Sequence, residues 1–369
     1  VSARGARLAA RIWDEDGRWR VVRGALAPAS LLYRGGIGLR NAAYRVGLLS
    51  TRTAGARTVS IGNLRVGGSG KTPLTRWLAV EARARGVAVA ILSRGYGGTE
   101  ASPHVVGDGE GLRSDVARSG DEAVMLARTC RVPVVAGRER ADAAALAIET
   151  FASRLLLCDD AFQHRRLARD VDVVLVDPCE RGGLMRLLPA GPLREPFSAL
   201  ARAHVIVVVD RDGGVGQAPQ LRPDQLLVQA RMAPTALVRV GLGEWEEIGL
   251  AVLAGQRVLA LSGVARPRPL YESLRDWEAD LVHVLEYPDH HAYDTRDWHE
   301  ISHASKDVDL VVTTEKDLVK LERFPFARGK LVALRLGVTI DRPGELLDRV
   351  LGPLGAPLTG SRATGLGGA

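Results

Sequence analysis

Gly67-Gly68-Ser69-Gly70-Lys71-Thr72 is a run of residue types suited to holding phosphate. Glycines let backbone N–H groups approach an anion closely, and a helix starting here adds its partial positive charge. In this pattern Lys71 reaches the β- and γ-phosphates and the Thr72 hydroxyl sits on Mg²⁺. The apolar run Thr58–Ile61 ahead of it reads as a strand. Leu74-Thr75-Arg76-Trp77-Leu78-Ala79 opens a helix, with Pro73 tolerated in its first turn. The full pattern G-x-x-x-x-G-K-[ST] asks for Gly where Arg65 stands. A plain glycine-rich turn is the competing reading; strand, loop, Lys-Thr and helix in that order favour the phosphate cradle. Only five of the 50 basic residues are lysines (Lys71, Lys306, Lys316, Lys320 and Lys330). Where Arg fills generic surface positions, a retained Lys marks a need for a compact ammonium, and this singles out Lys71 and Lys316.

Other loops carry chemistry-bearing residues. Ser93-Arg94-Gly95-Tyr96-Gly97-Gly98 suits a phosphate or a sugar. Gly120-Asp121-Glu122 opens a helix, where acids serve as caps and dipole partners or, near a phosphate loop, in metal binding and proton abstraction. Leu155-Leu156-Leu157-Cys158-Asp159-Asp160 is an apolar strand ending in two aspartates, one of which would hold Mg²⁺ or its water beside Thr72. Gln163 and His164 follow and could orient a substrate or water. Leu188 to Pro196 is a proline-bounded loop presenting Arg194 and Glu195. Tyr287-Pro288-Asp289-His290-His291 lacks the i, i+4 spacing of a chelating pair; a single His reaching a carboxylate across a cleft fits it better than zinc. Lys316 and Asp317 are adjacent, so the guanine-reading N-K-x-D geometry is missing and a GTPase is disfavoured.

These loops need a frame with strand ends converging on one edge. From 58 to 210 short apolar strands (Thr58–Ile61, Val87–Leu92, Val132–Val135, Leu155–Cys158, Val173–Val176, Val205–Val209) alternate with helical stretches at 72–85, 120–129, 138–152 and 196–202. That alternation predicts an α/β fold, a P-loop NTPase-like parallel sheet core covered on both faces, with ligands at the carboxyl ends of the strands. Residues 211–241 read as a linker and a two-stranded ribbon, Leu226–Ala230 against Ala236–Val240. Residues 242–351 read as a second, smaller α/β domain with strands near Val258–Leu261, Leu281–Glu286, Leu310–Thr313 and Leu331–Leu336. Residues 352–369 read as a flexible tail.

With 46% hydrophobic and 25% charged residues the chain is of globular composition. Cys130, Cys158 and Cys179 lack C-x-x-C spacing and read as thiols in a reducing compartment. No apolar run precedes a cleavage site, so a secretory leader is not expected. Residues 1–57 hold eleven arginines against Asp14, Glu15 and Asp16; the formal charge of +7 therefore belongs to this segment, and a nucleic-acid-binding face on the body is disfavoured. The segment has no uncharged apolar stretch long enough to span a bilayer. Its apolar stripes, arginines and Trp13, Trp19, Tyr33 and Tyr44 fit either a helix lying in an anionic membrane surface or one packed on the protein's own body.

Taken in order, these motifs resemble one family, the tetraacyldisaccharide 4′-kinases of lipid A biosynthesis. The resemblance runs from Arg40-Asn41 through Gly62-Asn63, Gly67 to Pro73, Ser93 to Gly97, Gly120 to Glu122, Asp159 to His164, Leu188 to Pro196 and Ser262-Gly263-Val264-Ala265-Arg266-Pro267 to Asp289-His290 and Thr313 to Asp317. The family has Arg or a small polar residue at the Arg65 position. One departure is Ala161, where the family usually has Gly; a positive φ there would make Ala costly. The resemblance implies transfer of the ATP γ-phosphoryl group to the 4′-hydroxyl of a tetraacylated glucosamine disaccharide 1-phosphate, on the cytoplasmic face of the bacterial inner membrane, by a monomer. It implies Asp121 as base with His290 as its partner, Lys71 on phosphates, and Mg²⁺ held by Thr72 with Glu122, Asp160 or Glu195. Asn63, Arg94, Tyr96, Asp159, Gln163, His164 and Arg194 are the implied substrate contacts. With His290 and Asp121 in different units, closure of the two domains is expected. Two other classes compete, a P-loop GTPase or metallochaperone and a non-catalytic membrane-bound ATP-binding protein. The missing N-K-x-D and C-x-C features count against the first, and the surplus of acids and histidines at strand ends against the second.

Overall fold

The computed structural model describes residues 12–13, 19–68, 70–177, 186–210, 222–241, 244–327 and 329–355. Its strands are β1 Arg57–Asn63, β2 Val89–Ser93, β3 His104–Asp108, β4 Pro133–Ala136, β5 Leu155–Asp159, β6 Val171–Val176, β7 Val205–Asp210, β8 Leu226–Val240, β9 Trp245–Ile248, β10 Arg257–Ser262, β11 Asp280–Glu286, β12 Leu310–Thr314 and β13 Leu331–Ile340. The helices that matter below are α1 Arg20–Arg45, α2 Lys71–Ala84, α3 Asp121–Cys130, α4 Arg140–Phe151, α5 Arg268–Asp276, α6 Thr295–Ala304, α7 Glu315–Leu321 and α8 Pro343–Leu351.

The strands join in the order β11-β10-β12-β13-β8-β7-β6-β1-β5-β2-β4-β3, with β9 added against β8. β1, β2, β5 and β6 are buried almost throughout, as unbroken apolar runs in a parallel sheet covered on both faces should be. β1 lies between β5 and β6, where the order of connections reverses. Such a switch point opens a crevice at the carboxyl ends of β1 and β5, beside Asn63 and Asp159.

Leu226–Val240 is one continuous strand, so the expected ribbon folding back at Met232-Ala233-Pro234 is corrected: its partner is β13. Pro234 is accommodated because Leu336 pairs with Pro234 while Arg335 pairs with Ala236, leaving Thr235 as the extra residue of a bulge. The β8–β13 ribbon is the neck between two parallel sheets. β7 runs beside β8 up to the pair Asp210–Arg231, while β12 runs beside β13 up to Thr314–Leu334, level with Leu237. The two sheets therefore run in opposite directions, and both present their carboxyl ends to the neck. A cleft between two sets of strand ends follows directly.

Two further strands lie outside the expected set, the antiparallel edge strand β3 and the short β9. The stretch 196–202 forms a 3₁₀ turn, Phe197–Arg202. α8, expected in the smaller domain, packs instead into the core around Val59, Leu74 and Val173. β13 is long enough to carry the chain back past the neck before α8 begins. The linker 211–221, the tail beyond 355 and Cys179 lie outside the described residues. Cys130 and Cys158 are buried free thiols, pushed up to about 12 by burial and so unreactive.

Candidate active site

The phosphate loop leaves β1 and enters α2 through Gly70, which caps the helix with φ 86°. A Cβ on Gly70 would lie 2.7 Å from Met232 Cε, the mobile end of a flexible side chain, so it is the positive φ that calls for Gly here. Gly67 also has positive φ, at 103°. Gly68 is exposed, and Ser69 lies outside the described residues. Arg65 forms an antiparallel bridge with Leu193, and it is absent from the positive-φ residues. An extended residue there does not need to be Gly, which accounts for the missing glycine. The same pairing continues as Val66 N–H to Pro192 O and Arg194 N–H to Leu64 O, so the proline-bounded loop is zipped onto the phosphate loop.

That zipper delivers Arg194 to the end of β5. Its Nη1 donates to both Asp160 oxygens at 2.9 Å. Lys71 Nζ lies 3.4 Å from Asp160 Oδ1 and donates to Asn63 Oδ1 at 3.2 Å. Burial works to raise Asp160, but Lys71 and Arg194 hold it below the ordinary carboxylate range. Asp159 goes the other way: burial and the nearby Glu122 carboxylate push it up to about 7, against the pull of Lys71. Its Oδ1 accepts from Thr75, one turn into α2 and not from Thr72, which lies half-buried in the first turn. Gln163 Nε2 donates to the Asn63 carbonyl. Asn63 Nδ2 is buried with no acceptor among the described residues, which leaves a donor for a ligand. Ala161 is not in positive φ; Asp160 is, at 47°, so Ala at 161 carries no backbone strain. Asp tolerates that conformation better than most residues.

Asp121 starts α3 and is almost fully buried. Gly120, just before it, has φ 82° and would place a Cβ 2.1 Å from the Tyr96 carbonyl, so only Gly lets the two loops meet. His290 Nδ1 comes from the other side of the cleft to 3.0 and 3.1 Å from the Asp121 oxygens. His290 itself has φ 58°, a costly conformation of the kind that gathers at functional sites. The Tyr96 ring stands 4.7 Å from the imidazole. Lys320 Nζ lies 3.5 Å from Asp121 Oδ2 and 2.8 Å from Asp317. Burial would raise Asp121, but His290, Lys316 and Lys320 outweigh it and draw it down to about 2.

Three further expected residues, Glu195, Arg94 and His164, are found as follows. Glu195 is fully buried, and its oxygens accept from Arg202 at 2.9 and 3.2 Å and from Asn41 at 3.2 Å. With both oxygens engaged, this carboxylate anchors α1 instead of standing open to Mg²⁺. Arg94 is exposed on its loop. His164 is half-buried among arginines; burial first, then Arg140, lowers it to about 4, and it is neutral at pH 7.

Sequence reasoning left out Thr75, Arg140 and Lys320 as site residues, and it singled out Lys316 without giving it a role. Arg140 is buried and donates to the Asp159 carbonyl, tying α4 to the end of β5. Lys316 and Lys320 lie four apart on α7 and so share one face. Lysine scarcity was the available signal: three of the five lysines meet here.

α1 packs one face on the body. Ser30, fully buried, donates to Leu187 O and accepts from Ala190 N–H; Tyr33 donates to Arg194 O. The opposite face leaves Val21, Leu31, Leu32 and Leu39 exposed, followed by Val46, Leu48 and Leu49. The packed face bears out the reading of a helix lying on the protein's own body. Because Glu195 holds Asn41 and Arg40, Glu195→Ala should lower unfolding stability by about 1–3 kcal/mol and make α1 more protease-sensitive. An unchanged melting temperature and digestion pattern would contradict the anchoring role.

A family model described as tetraacyldisaccharide-1-P 4′-kinase matches residues 22–354. A tetraacyldisaccharide 4′-kinase of Anaeromyxobacter dehalogenans strain 2CP-C is 40% identical over 354 residues, covering 89% of this chain and 91% of that one. The enzyme of that name from Aeromonas hydrophila is 35% identical, covering 96% and 98%. The crystal structure of LpxK from Aquifex aeolicus in complex with ATP superposes with a TM-score of 0.75 at 28% identity, covering 89% of this chain and 98% of that one.

Proposed function

Given that the chain belongs to the tetraacyldisaccharide-1-P 4′-kinase family, we propose that it transfers the γ-phosphoryl group of ATP to the 4′-hydroxyl of a tetraacyldisaccharide 1-phosphate, a step of lipid A biosynthesis. The observation that carries the reading is the meeting, in one cleft, of a phosphate loop with a carboxylate–imidazole pair drawn from opposite sides of the neck.

Phosphoryl transfer asks mainly for positioning and charge neutralisation. Lys71 and the loop N–H groups bind the nucleotide phosphates, and Lys71 gives up Asn63 and Asp160 when they arrive. Arg194, on the far side of Asp160, adds positive charge where the transferring group becomes more negative. The 4′-oxygen forms the new bond to phosphorus as the bond from phosphorus to the bridging oxygen of ADP breaks, and the hydroxyl proton passes to Asp121. Drawn down to about 2, Asp121 is fully ionised at neutral pH and so has an acceptor lone pair ready. Asn63, Tyr96, Gln163 and His164 would be contacts for the sugar.

The donor set fits Mg²⁺. Thr72, Glu122, Asp159 and Asp160 offer hard oxygen ligands, and the pKa of Asp159, raised by burial first and then by the Glu122 carboxylate, includes a repulsion that a cation would relieve. Among the described residues no three acids or histidines are close enough to form a complete metal cage. That suits an ion which keeps waters and is shared with substrate phosphates. Bound there, Mg²⁺ would neutralise phosphate charge; Thr72 with Asp160 or Glu122 would hold it.

Among the described residues no helix is long and apolar enough to cross a membrane. The exposed apolar face of α1, with Arg20, Arg34 and Arg45 along the same helix, supports docking on an anionic bilayer, where a four-chain acceptor resides. Leu32→Asp with Leu39→Asp should cut flotation with anionic vesicles about tenfold or more, since each removes buried apolar area and adds like charge. Unchanged flotation would leave α1 as a packing element alone. The activity itself is tested by [γ-³²P]ATP transfer to the purified disaccharide acceptor. ATP turnover without a phosphorylated lipid product would refute the assignment.

A further inference from the structure

Lys316 is the group that the proposed reaction has not used, although it sits at the centre of the cleft. It is the second residue of α7, mostly buried, and its ammonium faces three partners. Asp289 Oδ1 is at 3.2 Å, Glu122 Oε1 at 3.4 Å and His290 Nε2 at 3.0 Å. An ammonium has three N–H donors and no acceptor. Its three protons match these three neighbours, so toward the imidazole it can only donate. His290 Nε2 must then offer its lone pair, and the one ring proton must sit on Nδ1, facing Asp121 at 3.0 Å. Asp289 offers no competing acceptor for a proton on Nε2, because its Oδ2 is 3.9 Å away.

Asp121 asks only that Nδ1 carry a proton; it says nothing of the second nitrogen. Lys316 settles that nitrogen and ties the ring at its far edge, while Tyr96 stands 4.7 Å from the imidazole. Glu315, next to Lys316, pairs with Arg76 of α2 at 2.8 Å, and Lys320 of the same helix reaches Asp121. The N-terminal turns of α7 thus tie the smaller unit to both the nucleotide helix and the dyad.

We propose that Lys316 is a positioning residue for the dyad, which by donating to His290 Nε2 locks the imidazole as the Nδ1–H tautomer and turns that proton onto Asp121. The consequence is that Nε2 is closed to substrate, and the atom left to receive the acceptor's proton is a carboxylate oxygen of Asp121. This rests on the kinase reading for its consequence, but the tautomer is a property of the protein alone.

The experiment uses the full chain with ¹⁵N-labelled histidine, with the His290 signals identified by their loss in His290→Gln. Long-range ¹H–¹⁵N spectra should show one Nδ1–H tautomer for His290 in the unmodified protein. Lys316→Met keeps the length of the stem and removes the donor. It should abolish that single-tautomer pattern and lower kcat by about 10–100-fold, the usual cost of losing a partner that orients a ring, with the KM for ATP changed by less than about threefold. Lys316→Arg retains a donor-only cation and should keep the Nδ1–H pattern and recover kcat to within about tenfold of the unmodified protein. An Nε2–H tautomer in the unmodified protein, or a Lys316→Met spectrum with the Nδ1–H pattern intact, overturns the proposal. So does an Arg variant that keeps the tautomer yet is as slow as Met. Should the unmodified protein show the tautomer but transfer no phosphoryl group to the lipid acceptor, the kinase reading falls and the tautomer assignment stands.

Discussion

Asp121→Asn is expected to lower kcat for phosphoryl transfer by about 10²–10⁴-fold, the range supplied by a positioned general base, while the KM for ATP moves by no more than about threefold. The amide keeps the size of the carboxylate and can still accept from His290 Nδ1–H through its oxygen. Binding geometry therefore survives, and what disappears is the site that receives the 4′-hydroxyl proton. A second effect accompanies it. Asp121 is held at about 2 in the folded protein against an ordinary 3.8, so its hydrogen bond from His290 and its ion pair with Lys320 stabilise the fold fully above about pH 4. That contribution, about 2 kcal/mol, is lost as pH falls through 2. In Asp121→Asn the fall in stability between pH 4 and pH 2 should be shallower by that amount. Steady-state transfer assays and denaturant melts across this pH window measure both. A variant within about threefold of normal kcat would remove Asp121 from the chemistry and leave it a structural ion pair.

Lys71→Met should reduce kcat/KM for ATP by about 10²–10³-fold, the loss typical of removing one preorganised donor from a developing oxyanion. Here the compact ammonium matters. Lys71 is packed between Asn63 and Asp160 at 3.2 and 3.4 Å, beneath a glycine loop on which Met232 also closes. A planar, forked guanidinium cannot take the same position, so Lys71→Arg should restore less than about a tenth of the lost activity. Arg194 should rank below Lys71, because Asp160 already holds it and it would act from behind that carboxylate. Direct ATP binding by titration calorimetry, beside the kinetics, separates lost affinity from lost transition-state stabilisation. Full activity in Lys71→Met would contradict the assignment of this loop to the reacting phosphates.

Much of this site was legible because its signals are local. A glycine run that opens a helix, an apolar strand that ends in two aspartates and a loop braced by prolines each rest on contacts within a few residues. The alternation of apolar runs and helical stretches carried the parallel core for the same reason: strands buried on both faces must be apolar without interruption. The ordered motifs named the family before any coordinates, and the scarcity of lysine pointed at Lys71 and Lys316. What periodicity alone could not decide was pairing. Leu226–Val240 contains Pro234 and looks like two strands, yet it is one, because a bulge at Thr235 absorbs the missing N–H and β13 supplies the partner from nearly a hundred residues further on. The C-terminal helix α8 belongs to the first core for the same non-local reason.

The chemistry divides along that line. Residue types and their spacing determined that a nucleotide is held, that acids and a histidine stand at strand ends, and which family pattern they follow. Only the tertiary structure decided which of these groups meet. Asp121 and His290 are 169 positions apart and touch because the two sheets run in opposite directions and turn their carboxyl ends to one neck. Glu195 carries the same carboxylate as Asp160, but burial against Arg202 and Asn41 spends it on anchoring α1. Charge and hydrogen-bonding capacity are written into each residue; what a charge does depends on which other groups the fold brings within about 4 Å of it, where the interaction becomes strong.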